Sequence, residues 1–233
     1  MALTLARQRD HPLSLGDVLC YGGCLFHAMR RDATALKECA DELMQLATDR
    51  LPPWLEEAMW FKGDALAALG QESQGIALIQ QAIAVHQHAD KWCYISEALG
   101  ALSAAQGRAG NPEDGLATLA EALSFVAETG ERHREAELYR LRAERLLLGD
   151  QPQAERSLQQ AIDVARRQEA KSWELRATID LARLWQAQGR AGEARQVLSE
   201  IHGWFTEGFA TADLRQAGAL LEGLTSALAD EGR

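Results

Sequence analysis

Cys20, Cys24 and His27 fall at i, i+4 and i+7. On one α-helix they would share a face and could offer two thiolates and an imidazole to a metal ion. No fourth ligand follows nearby, and a free cysteine serves as readily as a small core residue, so packing is the expectation and no metal is assigned. His86 and His88 flank Gln87 where a helix is expected to end. An imidazole there suits the negative helix terminus better than a metal. The acids Glu56-Glu57 and Glu135/Glu137 read as solvated faces. Glycoside hydrolysis needs two carboxylates held across a cleft, and nothing in the sequence fixes such a pair. No nucleophile–base pair stands out, and no GxxxxGK[ST] phosphate loop is present. No catalytic residue and no cofactor are assigned, and the chain is expected not to be an enzyme.

A second cluster lies near the end. Trp204, Phe205 and Phe209 precede Thr211 and Asp213. Aromatics beside a hydroxyl and a carboxylate could line a ligand pocket, or they could plug the end of a helical stack. The deciding question is what the preceding residues repeat.

The bulk numbers narrow the classes. Of 233 residues 47% are hydrophobic, enough to bury a core. The net charge of −10 argues against direct nucleic-acid binding, which needs a basic face to displace counterions. Cys20, Cys24, Cys39 and Cys93 form no CxxC pair, so free thiols in a reducing cytoplasm are expected. The opening MALTLARQRD has no secretory signature. No apolar run is long enough to span a membrane.

Repetition organises the chain. The turn glycines Gly70, Gly110, Gly149 and Gly189 are spaced by 40, 39 and 40. After each comes a small residue, Gly75, Gly115, Ala154 or Ala194, and then an aliphatic one, Ile79, Leu119, Leu158 or Leu198. Ala82, Ala122 and Ala161 repeat beyond these. Before the turns a small residue also recurs at Gly23, Gly63, Ser103 and Ala182. One lost residue before Gly149 accounts for the 39 and puts Ala143 in that slot. Each unit thus reads as a helix, a glycine turn and a second helix. Small residues belong where helix axes approach closely, and Gly ends a helix in the left-handed conformation. Asp32 and Asn111 read as N-caps, the latter followed by Pro112, Glu113 and Asp114 in the first turn. No alternating β-branched run suggests a strand. Trp54, Trp92 and Trp173 recur near first-helix starts, with His133 in the fourth, while Trp60 and Trp185 lie deeper; packing between repeats is the expected role.

The expected fold is all-α: a right-handed superhelical solenoid of helix-turn-helix repeats with a forty-residue period. A truncated repeat helix occupies 1–10. Helix pairs follow at 11–50, 51–89, 90–129, 130–170 and 171–203, and a capping segment at 204–229. Residues 2–15 align with the second helix at 161–175, so a repeat is expected to be cut at Met1, as in a piece excised from a longer protein. The exposed end is then expected to be able to stack against another copy. Thr211 reads as the N-cap of a last helix whose apolar stripe is Leu214, Ala217, Leu221, Leu224 and Leu228. Trp204, Phe205 and Phe209 are expected to wedge that helix onto the last pair, the structural reading of the cluster.

The paired-helix pattern resembles tetratricopeptide-repeat (TPR) architecture, enlarged to forty residues per unit. Three stretches, 11–32, 130–150 and 172–221, the last containing EIHGWFTEGFATADLRQAGALL, resemble the C-terminal repeat region of large bacterial ATPases of the adenylate or guanylate cyclase-like class. LuxR-type and maltose-regulon-activator-like ATPases share the layout. The resemblance implies a signalling or regulatory segment in bacteria and carries no catalytic residue. His133 departs from the aromatic that family would place there.

In such solenoids the first helices line the inner surface. The predicted face carries Asp17, Cys20, Cys24 and His27; Glu57, Trp60 and Asp64; Glu97, Gly100 and Ala104; Glu137, Arg140 and Glu144; Arg176, Ile179 and Arg183. It is acidic at first and basic at the end, and could accept an extended or helical peptide of complementary charge with Trp60 as an apolar contact. A solvated surface without a partner is the competing reading. The expected function is protein–protein interaction or a regulatory scaffold, with a protein or peptide partner that includes an upstream domain of the same chain. The alternative is a small-ligand sensor.

Overall fold

The computed structural model describes residues 2–8, 11–50, 52–88, 94–147 and 149–231, the side chains of 86–88, 230 and 231 excepted. Every regular element among them is helical. The chain divides into two compact units, 1–131 and 132–233. Trp92 and Cys93 lie outside the described residues, as do the side chains of His86 and His88.

Unit 1 opens with α1 (Ala2–Gln8), α2 (Pro12–Asp17), a π-helical stretch (Val18–Leu25), α3 (Phe26–Met29) and α4 (Ala33–Asp49). A 3₁₀ turn (Pro52–Trp54) leads into α5 (Leu55–Ala68), α6 (Glu72–His88), α7 (Ile95–Arg108) and α8 (Pro112–Thr129). Unit 2 holds α9 (Glu135–Leu146), α10 (Gln151–Arg167), α11 (Lys171–Ala187), α12 (Ala191–His202) and α13 (Ala212–Glu231). Helix α5 packs on α6, α7 on α8, α9 on α10 and α11 on α12. First helices also touch along each unit, α5 with α7 and α9 with α11.

The small residues explain these pairings. A Cβ on Gly63 would stand 2.6 Å from Ile79 Cγ1 and 2.8 Å from the Gly75 carbonyl oxygen. A Cβ on Gly75 would stand 2.5 Å from the Gly63 carbonyl. The backbones of α5 and α6 therefore touch where the sequence omits side chains. One period on, Ser103 fills the slot and donates its hydroxyl to the Gly115 carbonyl at 2.9 Å, a bond between α7 and α8. In unit 2 the slots hold Ala143 with Ala154 and Ala182 with Ala194, all fully buried. Ala82, Ala122 and Ala161 are buried as well.

Gly70, Gly110 and Gly189 close their first helices at φ of 84°, 82° and 76°. In each the following N–H reaches back five residues: Gln71 to Leu66, Asn111 to Gln106 and Arg190 to Trp185. This is the turn glycine favours. Gly149 differs from the expectation, because it is not left-handed. The residue lost from this repeat shortens the turn, and Asp150 N–H bonds only four residues back, to Leu146. The first repeat makes the five-residue closure without glycine: Arg31 takes φ 58° and Asp32 N–H bonds to His27.

Asp32 and Asp150 cap α4 and α10, accepting from Ala35 N–H at 3.1 Å and Gln153 N–H at 2.9 Å. Asn111 precedes α8 as expected, but its side chain makes no cap bond. Leu214, Ala217 and Leu224 of α13 are buried, and Leu221 and Leu228 pack partly against the same core. The last helix therefore covers α11 and α12 as its stripe predicts. The wedge does not form as expected. Only Phe205 packs on the core, while Trp204 and Phe209 are 58% and 50% exposed. Leu214, Ala217 and Leu224 of α13 make the contact with the core instead, and Gly208 takes a left-handed turn at φ 78° just before that helix.

Candidate functional site

The first helices carry the polar residues singled out from the sequence, and the two units use them differently. In unit 1, Asp17 is exposed, His27, Glu57 and Asp64 are half-buried, and Glu97 and Trp60 are buried. The shared face drawn for Cys20, Cys24 and His27 assumed a regular α-helix, and π-helical Val18–Leu25 changes that register. Cys20, Cys24 and Cys39 are buried, and burial is the main force pushing each thiol upward. They act as packing residues, not as ready thiolate ligands. A Cβ on Gly23 would stand 3.1 Å from Cys39 Sγ, the same slot-to-core approach as Gly63 with Ile79.

Around Cys20 three helices bring their acids together. After burial, the largest influences raising its thiol are Glu57, Glu97 and Asp17. Next to them is an aromatic group. Tyr21 meets Trp54 edge-on at 6.0 Å and Tyr94 at 6.0 Å with a tilt of 49°. Tyr94 sits at φ 64°, and Glu131 accepts from its N–H at 3.1 Å and from the Ser96 hydroxyl. Trp60 stacks on Phe61 with ring centroids 3.6 Å apart. Its other neighbours include Glu57, Tyr94 and Ile95, which with it line a small recess.

In unit 2 the polar residues satisfy one another. Arg140 grips Glu137 through two bonds of 2.8 Å, reaches Asp180 of α11 at 2.8 Å and touches Glu144 at 3.3 Å. Arg183 adds a 3.5 Å pair with Asp180 but is itself half exposed. Burial by itself would raise Glu137, yet the charge and bonds of Arg140, helped by Arg176 and Arg134, hold its carboxyl at about 2. Burial would lower Arg140, and Glu137, Asp180 and Glu144 overcome it, holding the guanidinium far above its ordinary range. Arg176 donates to Asp213 of α13 at 2.6 Å. The guanidinium carbons of Arg134 and Arg176 each lie 4.8 Å from the Trp173 ring centre. Thus Glu137, Arg140 and Arg176, expected to face a partner, are buried and bonded within the unit; Glu144 and Arg183 stay at its edge.

The arrangement fits a scaffold of nested helix pairs. Among solved structures the chain is similar to BtubC (BKLC) from P. vanneervenii, at TM-score 0.67 and 18% identity, over 87% of this chain and 85% of that one. It is also similar to the kinesin light chain nearly identical TPR-like repeats of Podosopora anserina. One structure, of a variant with a single substitution, aligns at TM-score 0.55 and 17% identity over 77% and 94%; another aligns at 0.54 and 17% over 83% and 96%. The fold is TPR-like. No protein-family model and no curated protein matches the sequence.

Sequence reasoning missed three features of this TPR-like chain. The stack of Arg134 and Arg176 on Trp173 joins residues of different helices, a three-body contact that spacing alone does not reveal. The Tyr21–Trp54–Tyr94 group was missed although Tyr94 stands one period after Trp54 and Tyr21 one period before Phe61, a signal that the spacing did offer. A pocket of about 160 Å³ in unit 2 was missed too; Gln159, Ile162, Thr178, Leu181, Trp185 and Val197 line it, and the buried Thr178 hydroxyl has no hydrogen-bond partner. Among the described residues no helix is long and apolar enough to cross a membrane.

Proposed function

We propose that the chain is a protein-interaction module in which the first helices of unit 1 take a peptide or protein segment. One observation carries this reading: the polar residues of unit 2 are bonded to one another around Arg140, and the first helices of unit 1 leave Asp17 and Tyr21 exposed to solvent. A TPR-like array suits the role, because stacked pairs build an extended face without a catalytic centre. The resemblance of three stretches to regulatory ATPase repeats supports an upstream domain of a longer signalling chain as the partner. The test is fluorescence anisotropy of the full chain with labelled basic, neutral and acidic peptides. Saturable binding that prefers one charge class is expected; absence of binding by all three would overturn the reading.

Small-ligand sensing is favoured by one feature, the pocket beneath Thr178. A metabolite that raises the melting midpoint of the native chain but not of Thr178→Val would establish it, since a ligand selective for the folded form stabilises that form. Equal shifts in both proteins would count against it.

A further inference from the structure

We infer that the pocket beside Thr178 in unit 2 takes a free, uncharged molecule of about ring size that carries one hydroxyl group, an alcohol or a phenol. This rests on the small-ligand reading above and names the chemistry of the ligand. Threonines inside helices commonly return their hydroxyl to the carbonyl one turn back. Thr48 does so to Met44 at 2.8 Å, Thr129 to Phe125 at 2.7 Å and Thr225 to Leu221 at 2.8 Å. Thr178, well inside α11, is 2% exposed and has no hydrogen-bond partner among the described residues. A buried hydroxyl left alone is costly, and a ligand oxygen in the pocket it lines would satisfy it.

The space has an origin in the sequence. Four residues before the first-helix slot the other repeats place Leu19, Met59, Leu99 and Tyr139. Leu19, Met59 and Leu99 are buried. In α11 the same position is Thr178, a smaller side chain. The pocket of about 160 Å³ opens there, lined from α10, α11 and α12. An apolar cavity of roughly 150 Å³ holds a benzene ring. The walls select a neutral guest. Ile162, Leu181 and Trp185 are buried, and Val197 is half-buried. The indole N–H of Trp185 donates to Glu155 at 2.7 Å and Arg190 lies 4.3 Å from its ring centre, both outside the lining, so its polar edge is committed elsewhere. The charged lining residues Asp163 and Arg166 are exposed, and Arg166 donates to Glu174 at 2.7 Å. A charge carried in to Thr178 would lose its water without gaining a buried counter-charge. A free molecule fits better than the side chain of a protein segment. The exposed large hydrophobics of unit 2 are, among the described residues, Trp204 and Phe209, and neither lines the pocket to hold the rest of a segment.

The experiment follows 4-fluorophenol and fluorobenzene by fluorine NMR as each is titrated with the full chain. The phenol should bind about tenfold more tightly, the worth of one hydrogen bond. Thr178→Val keeps the shape and removes the hydroxyl, so it should lower the phenol to the level of fluorobenzene and leave fluorobenzene unchanged. Thr178→Leu restores the bulk found in the other repeats and should abolish binding of both. Circular dichroism checks that each variant is folded, and the near-isosteric Thr178→Val keeps the test open if Thr178→Leu is not. Equal binding of the two probes, or an unaltered preference in Thr178→Val, overturns recognition of a hydroxyl by Thr178. Tighter binding of N-acetyltyrosinamide than of 4-fluorophenol would assign the pocket to a protein side chain and overturn the free ligand. A preference for 4-fluorobenzoate or 4-fluorobenzylammonium overturns the uncharged class and leaves the sensing pocket standing. If no probe binds, the small-ligand reading falls along with it.

Discussion

Units 1 and 2 are built on the same period but settle their polar residues in opposite ways. In both, a small residue on the first helix meets a small residue on the second: Gly63 with Gly75, Ser103 with Gly115, Ala143 with Ala154, and Ala182 with Ala194. In unit 2 the outer neighbours of those slots are locked by Arg140 and Arg176, which tie α9 to α11 and α11 to α13. In unit 1 the positions corresponding to Arg140 are Cys20, Trp60 and Gly100, and those corresponding to Arg176 are Asp17, Glu57 and Glu97, so neither arginine has a cationic counterpart there. Packing slots hold a repeat together and tolerate only small side chains. The polar positions beside them are free to become either an internal clamp or a face for something else.

The largest effect should come from breaking the clamp. Arg140→Met leaves Glu137 buried with its main counter-charge gone, which costs roughly 3–5 kcal/mol. Hydrogen exchange should show lost protection in α9 and α11 before α5 and α6, because repeat units are stabilised by their neighbours. The pH dependence sharpens the same point. The folded Glu137 carboxyl titrates near 2, below its ordinary value of 4.5. Its contribution is therefore complete above about 4.5, declines as the pH falls, and is gone once the pH passes below about 2. An acid melt of Arg140→Met followed at α9 should lack that decline; an unchanged profile would show that the pair does not set it.

The next effect belongs to unit 1. Gly63→Ala must push Ile79 or the Gly75 carbonyl aside, at about 1–3 kcal/mol, although alanine is the better helix former. The slot in α9 already holds Ala143, so its packing has adapted to a methyl group. A melt in which Gly63→Ala is neutral would mean that the α5–α6 approach is looser than its contacts imply.

That contrast also shows what the sequence makes legible. Side-chain size recurs because backbones touch, so the helix pairs, the slots and the stripe of α13 could be read from spacing. Charge could be read as position but not as partnership. Arg140 and Arg176 lie on first helices, yet their acceptors Asp180 and Asp213 lie one helix pair away and no local rule links them. The aromatic loop failed for a different reason. Trp204 and Phe209 are hydrophobic by composition, but they stay exposed while Leu214, Ala217 and Leu224 join the core, and Lys171 lies 5.9 Å over the Trp204 ring.

A smaller change probes how unit 1 compensates within its second pair. Ser103 occupies the slot that Gly63 leaves empty and uses its hydroxyl to bond the Gly115 carbonyl. Ser103→Ala keeps the volume nearly constant and removes the bond, so a loss of about 1 kcal/mol is expected in denaturant unfolding. Thr118, which donates to Gln106 at 2.9 Å, gives α7 and α8 a second side-chain tie and should keep the pair folded. A loss much beyond that size would mean that the carbonyl depends on the hydroxyl more than a helix carbonyl should.

The smallest effect should be a gain. The turns after second helices carry Gly130 at φ 77° and Gly208 at φ 78°, but Glu169 holds the same left-handed conformation at φ 55°. Ala170 N–H closes that turn on Ala165 at 2.9 Å, so the geometry is set by the backbone and not by the exposed carboxylate. A side chain in this conformation costs about 1–2 kcal/mol, and glycine gives part of the relief back through its greater freedom when unfolded. Glu169→Gly should therefore stabilise unit 2 by roughly 0.5–1 kcal/mol, while Gly130→Ala should destabilise unit 1 by a similar amount. Opposite shifts in two thermal melts would show that both units end their second helices in one backbone state. Shifts of the same sign would mean that the two turns obey different constraints.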